Sequence, residues 1–344
     1  MSKFNFIFTE DNSVGLYNNI VQDIYHSKTG ALTEAIEKFV LPINLFNTRN
    51  EVKILDICYG IGYNTKAALY KSNENIRIHI DALEYDEELI LLSPFIKDGI
   101  DDYDLKLNLL SNIFKNNKLA QKINTLLINT IKSTSIDFFN ENMTYLMAFL
   151  EKEGYNNDPL TLNNSFLHNI YYNYISDNNN KSLKSNKYKE FSINYYIDDA
   201  RKSIKLLKNR YDCVFLDAFS PQKDPTLWTI DFLHEVKQKM NDGSIIVSYS
   251  KSTPFRKTLL ELGFHVGKTF INNIDMGTVA SLNKDNIITP LSSYDIELLS
   301  TRSGIPFRDE SLKSTPYEIL KRREIEQSNS NLISHTSFLK KYSK

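Results

Sequence analysis

A carboxylate, Asp217, directly follows a short and mainly apolar run in the stretch YDCVFLDAFSPQKDPTLW (residues 211–228). The run has the length and composition of a buried strand, and Pro221 cannot continue a strand ladder. A carboxylate at the mouth of a buried strand can accept hydrogen bonds or a proton from a bound group. We therefore predict that Asp217 is catalytic and that Phe219 and Pro221 shape the wall of a substrate site.

A second stretch, LDICYGIGYN (residues 55–64), joins a predicted strand to a predicted helix. Its glycines let the backbone approach a ligand closely, and the start of the helix offers free N–H groups. The spacing D-x-x-x-G-x-G differs from the G-x-G-x-x-G of dinucleotide-binding proteins, so a βα turn without a ligand remains an alternative. The residues predicted here to bind a cofactor are Asp56, Cys58, Tyr59, Gly60, Gly62 and Asn64.

Two further acids stand at the ends of predicted strands. Glu84 can accept hydrogen bonds from both hydroxyls of a ribose, although an exposed loop acid is the alternative. Asp199, rather than its neighbour Asp198, can accept a hydrogen bond from an adenine amino group. Asp199 can instead cap the helix that begins near Ala200, a position that Asp fills well. The glycine loop and the acids together favour a cofactor of the adenosine type.

The elements that must position these residues alternate between strands and helices, which implies βαβ units and a parallel sheet. Ligands bind at the edge where such strands end, and the predicted ends are Ile57, Leu83, Ile197 and Leu216. An adenosine group without a Walker loop or a dinucleotide fingerprint points to S-adenosyl-L-methionine. The predicted fold class is α/β: a class I S-adenosylmethionine-dependent methyltransferase, Rossmann-like, with a mainly parallel sheet, a final antiparallel strand and a helical insertion.

Three regions are predicted along the chain. Residues 1–50 form an N-terminal leader or lid, with helical spacing over 31–40. Residues 51–285 form the methyltransferase domain, which is interrupted by a helical insertion over about 97–190. Residues 286–344 form a C-terminal extension packed on that domain.

Composition narrows the class of protein further. The 344 residues are 41 % hydrophobic, enough for an ordinary globular core, and no apolar run approaches the length of a membrane span. The N-terminus lacks the apolar region of a secretory signal, and the two cysteines belong to no metal-binding pattern. We therefore expect a cytoplasmic protein with reduced cysteines and no metal.

The formal net charge of −1 means that an RNA partner needs local basic patches. The candidates for such patches are Lys202, Lys205, Lys208, Arg210, the run Lys181 to Lys189, Lys321, Arg322 and Arg323. For each of these candidates, a solvated helix face or loop is the alternative interpretation.

Several strings resemble motifs of the MnmC-like tRNA methyltransferase family, and more closely its stand-alone members without the FAD oxidase domain. They are TEDNSVGLYNNIVQDIYHSKTGALTEAIEKFV, ILDICYGIGYN, IDDA, VFLDAFSPQKDPTLW, GTVA and RSGIPFRD. The most specific is the Asp-Ala-Phe-x-Pro-x-x-x-Pro-x-x-Trp signature that begins at Asp217. The resemblance covers nearly the whole chain except the insertion. Cys58, Asn12 and Asp198 stand where the family pattern has glycine.

The resemblance implies methyl transfer from S-adenosyl-L-methionine to the aminomethyl group of a 5-aminomethyl-(2-thio)uridine at the tRNA wobble position. It implies Asp217 as the group that handles the amine, Ala200 and Glu34 beside the cofactor, and Phe219 on the uracil. Tyr25 and His26 would bind substrate if the leader folds over the site, whereas a leader that only packs is the alternative. Trp228 either packs a helix on the sheet or faces the base. We expect tRNA as partner, a monomer, and neither FAD nor oxidase activity.

Rival functions remain open at this point. An aminopropyltransferase of the spermidine synthase type also uses an Asp to hold an amine, but it usually has a glycine-richer cofactor loop. Another amine N-methyltransferase is a further alternative. A nicotinamide-dependent oxidoreductase is disfavoured by the missing G-x-G-x-x-G. A non-catalytic tRNA-binding module would be favoured by failure to bind the cofactor.

Overall fold

The computed structural model describes residues 4–11, 13–19, 22–25, 30–43, 45–73, 75–94, 96, 98–100, 103–116, 119 and 191–342. Most of the predicted insertion therefore lies outside the described residues. So do His26, Asn12 and the basic run Lys181 to Lys189.

Ten strands and eleven α-helices are labelled in chain order over the described residues. The strands are β1 (Phe4–Phe8), β2 (Val14–Asn18), β3 (Asp23–Ile24), β4 (Glu51–Ile57), β5 (Arg77–Glu84), β6 (Phe191–Ile197), β7 (Tyr211–Leu216), β8 (Met240–Ser248), β9 (His265–Ile271) and β10 (Ile274–Ser281). The helices are α1 (Ala31–Ala35), α2 (Leu45–Thr48), α3 (Tyr63–Lys71), α4 (Glu87–Leu92), α5 (Tyr103–Phe114), α6 (Ala200–Leu206), α7 (Ile230–Gln238), α8 (Thr253–Glu261), α9 (Ser293–Leu299), α10 (Pro316–Asn329) and α11 (His335–Tyr342).

The chain packs as two compact units that alternate along the sequence. The first contains Met1–Ile36, Leu45–Glu51 and Tyr59–Ile197. The second contains Glu37–Asn44, Val52–Cys58 and Asp198–Lys344. The predicted division at residues 50 and 285 remains a prediction, because these units are defined by packing and not by function.

The fold is α/β with a seven-stranded mixed sheet, mostly parallel and antiparallel at one end, which confirms the predicted fold class. In the first unit, β5 and β6 run parallel, with Glu84 opposite Ile197. In the second unit the strand order is β4-β7-β8-β10-β9. There β4 and β7 are parallel, with Ile57 opposite Leu216, and β10 is antiparallel to both β8 and β9. Parallel neighbours bring the ends of their strands to the same edge.

The apolar run before Asp217 is a fully buried strand, as predicted. All six residues of β7 are buried. Strands covered on both faces carry near-continuous apolar runs, which is why this one was recognisable from sequence. Burial raises the pKa of the Cys213 thiol within it well above its usual value, with the charges of Asp56 and Asp212 adding to the effect. The Cys213 side chain is therefore a neutral core residue.

The structure departs from the predicted elements in two places. The leader contains a three-stranded antiparallel sheet, β1-β2-β3, that the sequence did not predict. The segment LWTIDFLHEVKQKM (residues 227–240) has helical spacing, which predicts a single helix. The structure divides it into a 3₁₀ turn, Thr226–Trp228, and α7, because the Thr229 hydroxyl accepts a hydrogen bond from the Phe232 N–H and begins a new helix. Among the described residues, no helix has the length and apolar character needed to cross a membrane.

Candidate active site

In the loop between β4 and α3, three residues have backbone φ angles in the left-handed region. Cys58 has φ +65°, Gly60 +57° and Gly62 +79°. A residue with a Cβ pays about 1 kcal/mol for this conformation, whereas glycine does not. Cys58, which stands where the family pattern has glycine, therefore adopts the backbone conformation that favours glycine there, and its side chain is half-exposed.

Gly62 leaves no room for a side chain. A Cβ at this position would overlap the Tyr59 hydroxyl and approach the Ser93 hydroxyl to 2.9 Å. The Tyr59 and Ser93 hydroxyls are themselves 3.1 Å apart, and the Ser93 hydroxyl donates to the Ile61 carbonyl at 2.8 Å. The contact between the Tyr59 and Ser93 hydroxyls thus supports the loop, and it requires glycine at residue 62 because a Cβ there would overlap it.

A buried ion pair supports the same loop. Lys66 in α3 donates to the Ser93 carbonyl at 2.7 Å, and its ammonium lies 3.0 Å from the Asp98 carboxylate. Both side chains have 0 % exposure, so neither charge is screened by water. The sequence carried no signal for this pair, because Lys66 reads as an ordinary helix lysine and Asp98 lies 32 positions away.

Glu84 contacts the loop directly. Its Oε2 accepts a hydrogen bond from the Gly60 N–H at 2.7 Å, and its Oε1 accepts one from the Asp86 N–H at 2.9 Å. Burial raises the pKa of Glu84 to about 7, although the N–H donors of Asp86 and Gly60 favour the charged form. Two features that the sequence predicted separately, the glycine loop and the acid at the end of β5, are therefore adjacent in the first unit.

The turn that contains Asp11 and Ser13 is attached to the first turn of α1. The Asp11 carboxylate accepts from the Thr33 N–H at 2.9 Å, and the Ser13 hydroxyl accepts from the Ala31 N–H at 3.0 Å, so two residues from a distant turn cap α1. A Cβ at Gly30 would overlap the Asp11 side chain. Partial burial raises the pKa of Asp11, but the hydrogen bonds from Ser13, Thr33 and Thr9 outweigh it and lower the pKa to about 2.

Tyr63 joins β2 to α3. Its hydroxyl donates to the Val14 carbonyl at 2.9 Å and accepts from the Val14 N–H at 3.1 Å. Of the leader residues predicted to bind ligands, Tyr25 is half-buried and its hydroxyl accepts from the Asn18 amide at 3.0 Å, while Glu34 is half-exposed in α1. Their contacts with ligands remain predictions.

In the second unit, main-chain hydrogen bonds fix the segment that carries Asp217. The Asp217 N–H donates to the Ile57 carbonyl at 3.2 Å, which places Asp217 beside the end of β4. The Ala218 carbonyl accepts from the Tyr249 hydroxyl at 2.8 Å, and the Phe219 carbonyl accepts from the Trp228 indole N–H at 2.8 Å. The Asp217 side chain is half-exposed. These hydrogen bonds fix the backbone of a residue that is itself only partly buried.

Trp228 occupies the core of the second unit. It has 0 % exposure, and its ring lies edge-on to Phe255 at a centroid distance of 4.9 Å. Two roles were predicted for Trp228, packing a helix on the sheet or facing the base, and its burial agrees with the packing role. The indole N–H bond to Phe219 also gives a reason for the spacing of the signature. Within that signature Pro221 is buried and Phe219 is half-buried.

Asp199 caps α6, as the alternative interpretation predicted. It accepts from the Arg201 N–H at 2.9 Å and forms an ion pair with the Arg201 guanidinium at 2.7 Å. Ala200 behind it is buried, whereas Asp198 pairs with the exposed Lys202. The sequence missed Arg201, although it directly follows the quoted IDDA string. Whether Asp199 also meets an adenine remains a prediction.

Asp56 and Asn64, the other residues predicted to bind the cofactor, flank the glycine loop in the sequence. Asp56 is fully buried in β4, and Asn64 is buried in the first turn of α3. Both side chains are therefore buried in this structure. Their contacts with the cofactor remain predictions.

The basic run of α10 is engaged within the protein. Lys321 lies 3.0 Å from Glu324, and Arg322 lies 2.8 Å from Glu310. Arg323 donates to the Ile305 carbonyl at 2.6 Å. These bonds favour a local role for the run over phosphate binding. Lys205 and Lys208, in contrast, are exposed.

Comparisons with known proteins agree with this architecture. A family described as S-adenosyl-L-methionine-dependent methyltransferase matches residues 163–272. An uncharacterized protein of Methanocaldococcus jannaschii is 30 % identical over 318 residues, which cover 92 % of this chain and 70 % of that protein. The crystal structure of MNMC2 from Aquifex aeolicus is 26 % identical, with a TM-score of 0.63, over 96 % of this chain and 87 % of that one.

A shorter match connects the chain to a bifunctional enzyme. The tRNA 5-methylaminomethyl-2-thiouridine biosynthesis bifunctional protein MnmC of Pseudomonas entomophila is 29 % identical over 79 residues. That match covers 23 % of this chain and only 12 % of the relative. The fold and these similarities define an S-adenosyl-L-methionine-dependent methyltransferase. Within that class, the chain belongs to the MnmC-like methyltransferase family.

Proposed function

We propose that this methyltransferase N-methylates the aminomethyl group of 5-aminomethyl-(2-thio)uridine at the wobble position of tRNA. The observation that carries the proposal is Asp217, a half-buried acid whose backbone is fixed at the end of a buried strand. The name of the MnmC relatives, which refers to 5-methylaminomethyl-2-thiouridine in tRNA, supports the choice of substrate. The proposal includes a monomeric, cytoplasmic enzyme.

The residues of the first unit suit an adenosine cofactor. Glu84 is a buried acceptor next to a glycine loop whose path excludes side chains, and acceptors of this kind bind ribose hydroxyls. Asp199 of the second unit would accept the adenine amino group. When bound, the cofactor supplies the methyl group together with its own sulfur leaving group. The remaining residues assigned to cofactor binding are Asp56, Cys58, Tyr59, Gly60, Gly62, Asn64, Ala200 and Glu34.

Asp217 would act on the substrate amine. A primary amine is mostly protonated at neutral pH, and only the free base can attack a methyl group. The Asp217 carboxylate would accept a hydrogen bond from the amine, orient its lone pair and take the proton that it loses. Phe219 and Pro221 would form the wall of the base pocket, Tyr25 and His26 would belong to the lid, and Trp228 would act from behind through the Phe219 carbonyl.

The test is transfer of a labelled methyl group. The protein is incubated with methyl-labelled S-adenosyl-L-methionine and tRNA that carries 5-aminomethyluridine, and digested nucleosides are analysed by mass spectrometry. We expect label in 5-methylaminomethyluridine, and a loss of at least about 10²-fold in kcat for Asp217→Asn, the usual contribution of a proton acceptor. Asp242→Asn, which changes an exposed carboxylate of the same unit, serves as the matched control.

The rival functions give different outcomes in the same assay. Label on a free polyamine, or use of decarboxylated cofactor with putrescine, would identify an aminopropyltransferase or another amine methyltransferase. Binding of tRNA without binding of the cofactor would identify a non-catalytic module. Full turnover by Asp217→Asn would contradict the role given to this carboxylate.

A further inference from the structure

We infer that Arg201 and Asp309 are positioning residues that hold Asp199 as a fixed acceptor, and that they determine how strictly the cofactor site selects an adenine base. The inference rests on the proposed role of Asp199 toward adenine. It adds Arg201, which lies in none of the quoted motifs, and it gives a function to Asp309, the last residue of the C-terminal string RSGIPFRD.

Arg201 connects two carboxylates from distant parts of the chain. Its Nε lies 3.1 Å from each Asp199 oxygen, and its second terminal nitrogen donates to Asp199 at 2.7 Å. The other terminal nitrogen donates to Asp309 at 2.9 Å and to the Ser314 carbonyl at 2.8 Å. The planar guanidinium thus spans both acids, a geometry that lysine cannot reproduce.

Asp309 anchors the arrangement. Its side chain has 0 % exposure. One of its oxygens accepts from the Ser311 hydroxyl and from the N–H groups of Lys313 and Ser314, at 3.0 to 3.2 Å. Its other oxygen meets Arg201. A carboxylate held by four donors has little freedom to move, so Arg201 is fixed by a rigid partner.

The consequence for Asp199 follows from counting acceptors. A carboxylate oxygen has two lone-pair positions. One Asp199 oxygen already takes the Arg201 N–H at 2.9 Å and Nε at 3.1 Å, while the other takes the terminal nitrogen at 2.7 Å and shares Nε. Because the single Nε hydrogen is shared between the two oxygens, neither oxygen is saturated, and Arg201 fixes the plane of the carboxylate. The side chain, at 23 % exposure, therefore presents a carboxylate of fixed orientation to an incoming donor.

An oriented anionic acceptor distinguishes purines at their sixth position. The adenine amino group donates to it, whereas hypoxanthine places a carbonyl oxygen there and is repelled. Sites built to hydrogen-bond one group reject an analogue that leaves the site unpaired. If Arg201 is lost, Asp199 can rotate or accept water, and the penalty for the wrong base falls.

The experiment measures binding and does not require tRNA. Dissociation constants for S-adenosylhomocysteine and S-inosylhomocysteine are measured by calorimetry for the wild type, Arg201→Gln, Arg201→Lys, Asp309→Asn and Lys202→Gln. We expect the wild type to prefer the adenine ligand by at least about 10²-fold. Arg201→Gln should lower this preference about tenfold or more, and Arg201→Lys and Asp309→Asn by smaller factors. Lys202→Gln, on the same helix and paired with Asp198, should keep it.

The outcomes separate the inference from the proposed function. Circular dichroism identifies any variant that fails to fold, in which case Arg201→Lys and Asp309→Asn decide. Failure of the wild type to bind either ligand would contradict the proposed cofactor. Binding of both with equal affinity, or an unchanged preference in folded Arg201 variants, would overturn the positioning role. A weaker affinity with an unchanged preference is what a merely structural role would produce, and it counts against the inference.

Discussion

Glu84 makes the stability of the cofactor-free protein depend on pH in a direction opposite to that of a carboxylate whose pKa falls on folding. Its pKa rises from 4.5 to about 7 on folding because the carboxyl is buried. The folded state therefore holds a proton that the unfolded state loses between these two values. The stabilising effect of the neutral carboxyl is fully present below pH 4.5 and disappears as the pH rises through 7.

The magnitude follows from the shift. A rise from 4.5 to about 7, at about 1.4 kcal/mol for each pKa unit, corresponds to about 3 kcal/mol of unfolding free energy lost between pH 4.5 and pH 8. Glu84→Gln does not titrate and keeps an oxygen that can accept from the Gly60 N–H. The free energy of unfolding of the wild type, minus that of Glu84→Gln, should therefore fall by about 3 kcal/mol across this range.

Urea unfolding followed by circular dichroism at half-unit pH intervals, without cofactor, measures this difference. Glu10→Gln, which changes an exposed carboxylate of the same unit, controls for the general effect of removing a charge, and its difference from wild type should stay nearly constant. A wild-type minus Glu84→Gln difference that is constant within about 0.5 kcal/mol, or that grows with pH, would refute the claim that burial governs Glu84.

Three further predictions concern the fixed backbone of the two strand ends. Cys58→Gly should raise the unfolding free energy by about 1 kcal/mol in thermal melts, because glycine adopts φ +65° without strain; lower stability would contradict this. Gly62→Ala should cost at least about 2 kcal/mol and abolish cofactor binding in calorimetry, because its Cβ overlaps Tyr59; normal binding would show that the loop adapts. Trp228→Phe should lower kcat with little change in cofactor affinity, because it removes the bond to the Phe219 carbonyl; an unchanged kcat would argue that packing alone holds the segment.

The strand ends could be predicted from sequence because their signals are local. β7 is an apolar run, interrupted only by Asp212, and it is followed by a charge and a proline. The cofactor loop has two glycines between a strand and a helix. Each pattern lies within a dozen residues, so periodicity and turn residues were sufficient to locate it.

Contacts between distant side chains left no such local signal. Arg201 and Asp309 are 108 positions apart, and Tyr63 meets Val14 across 49 positions. No period connects residues at these separations, and each looks ordinary in its own element. The leader sheet was missed for a related reason, because its strands are at most five residues long and β3 has only two, which is too short for a clear alternation.

The family strings acquire different physical meanings once these contacts are known. Gly30 and Gly62 are places where a Cβ would strike a neighbouring side chain, and Asp309 is an anchor for an arginine. Trp228 is a hydrogen-bond donor to the backbone beside Asp217. Each of these residues shapes or fixes the chain. Asp217 differs, because the bonds fix its main chain and leave its carboxylate half-exposed. A motif that immobilises the backbone around one accessible acid is what proton transfer from a positioned amine requires.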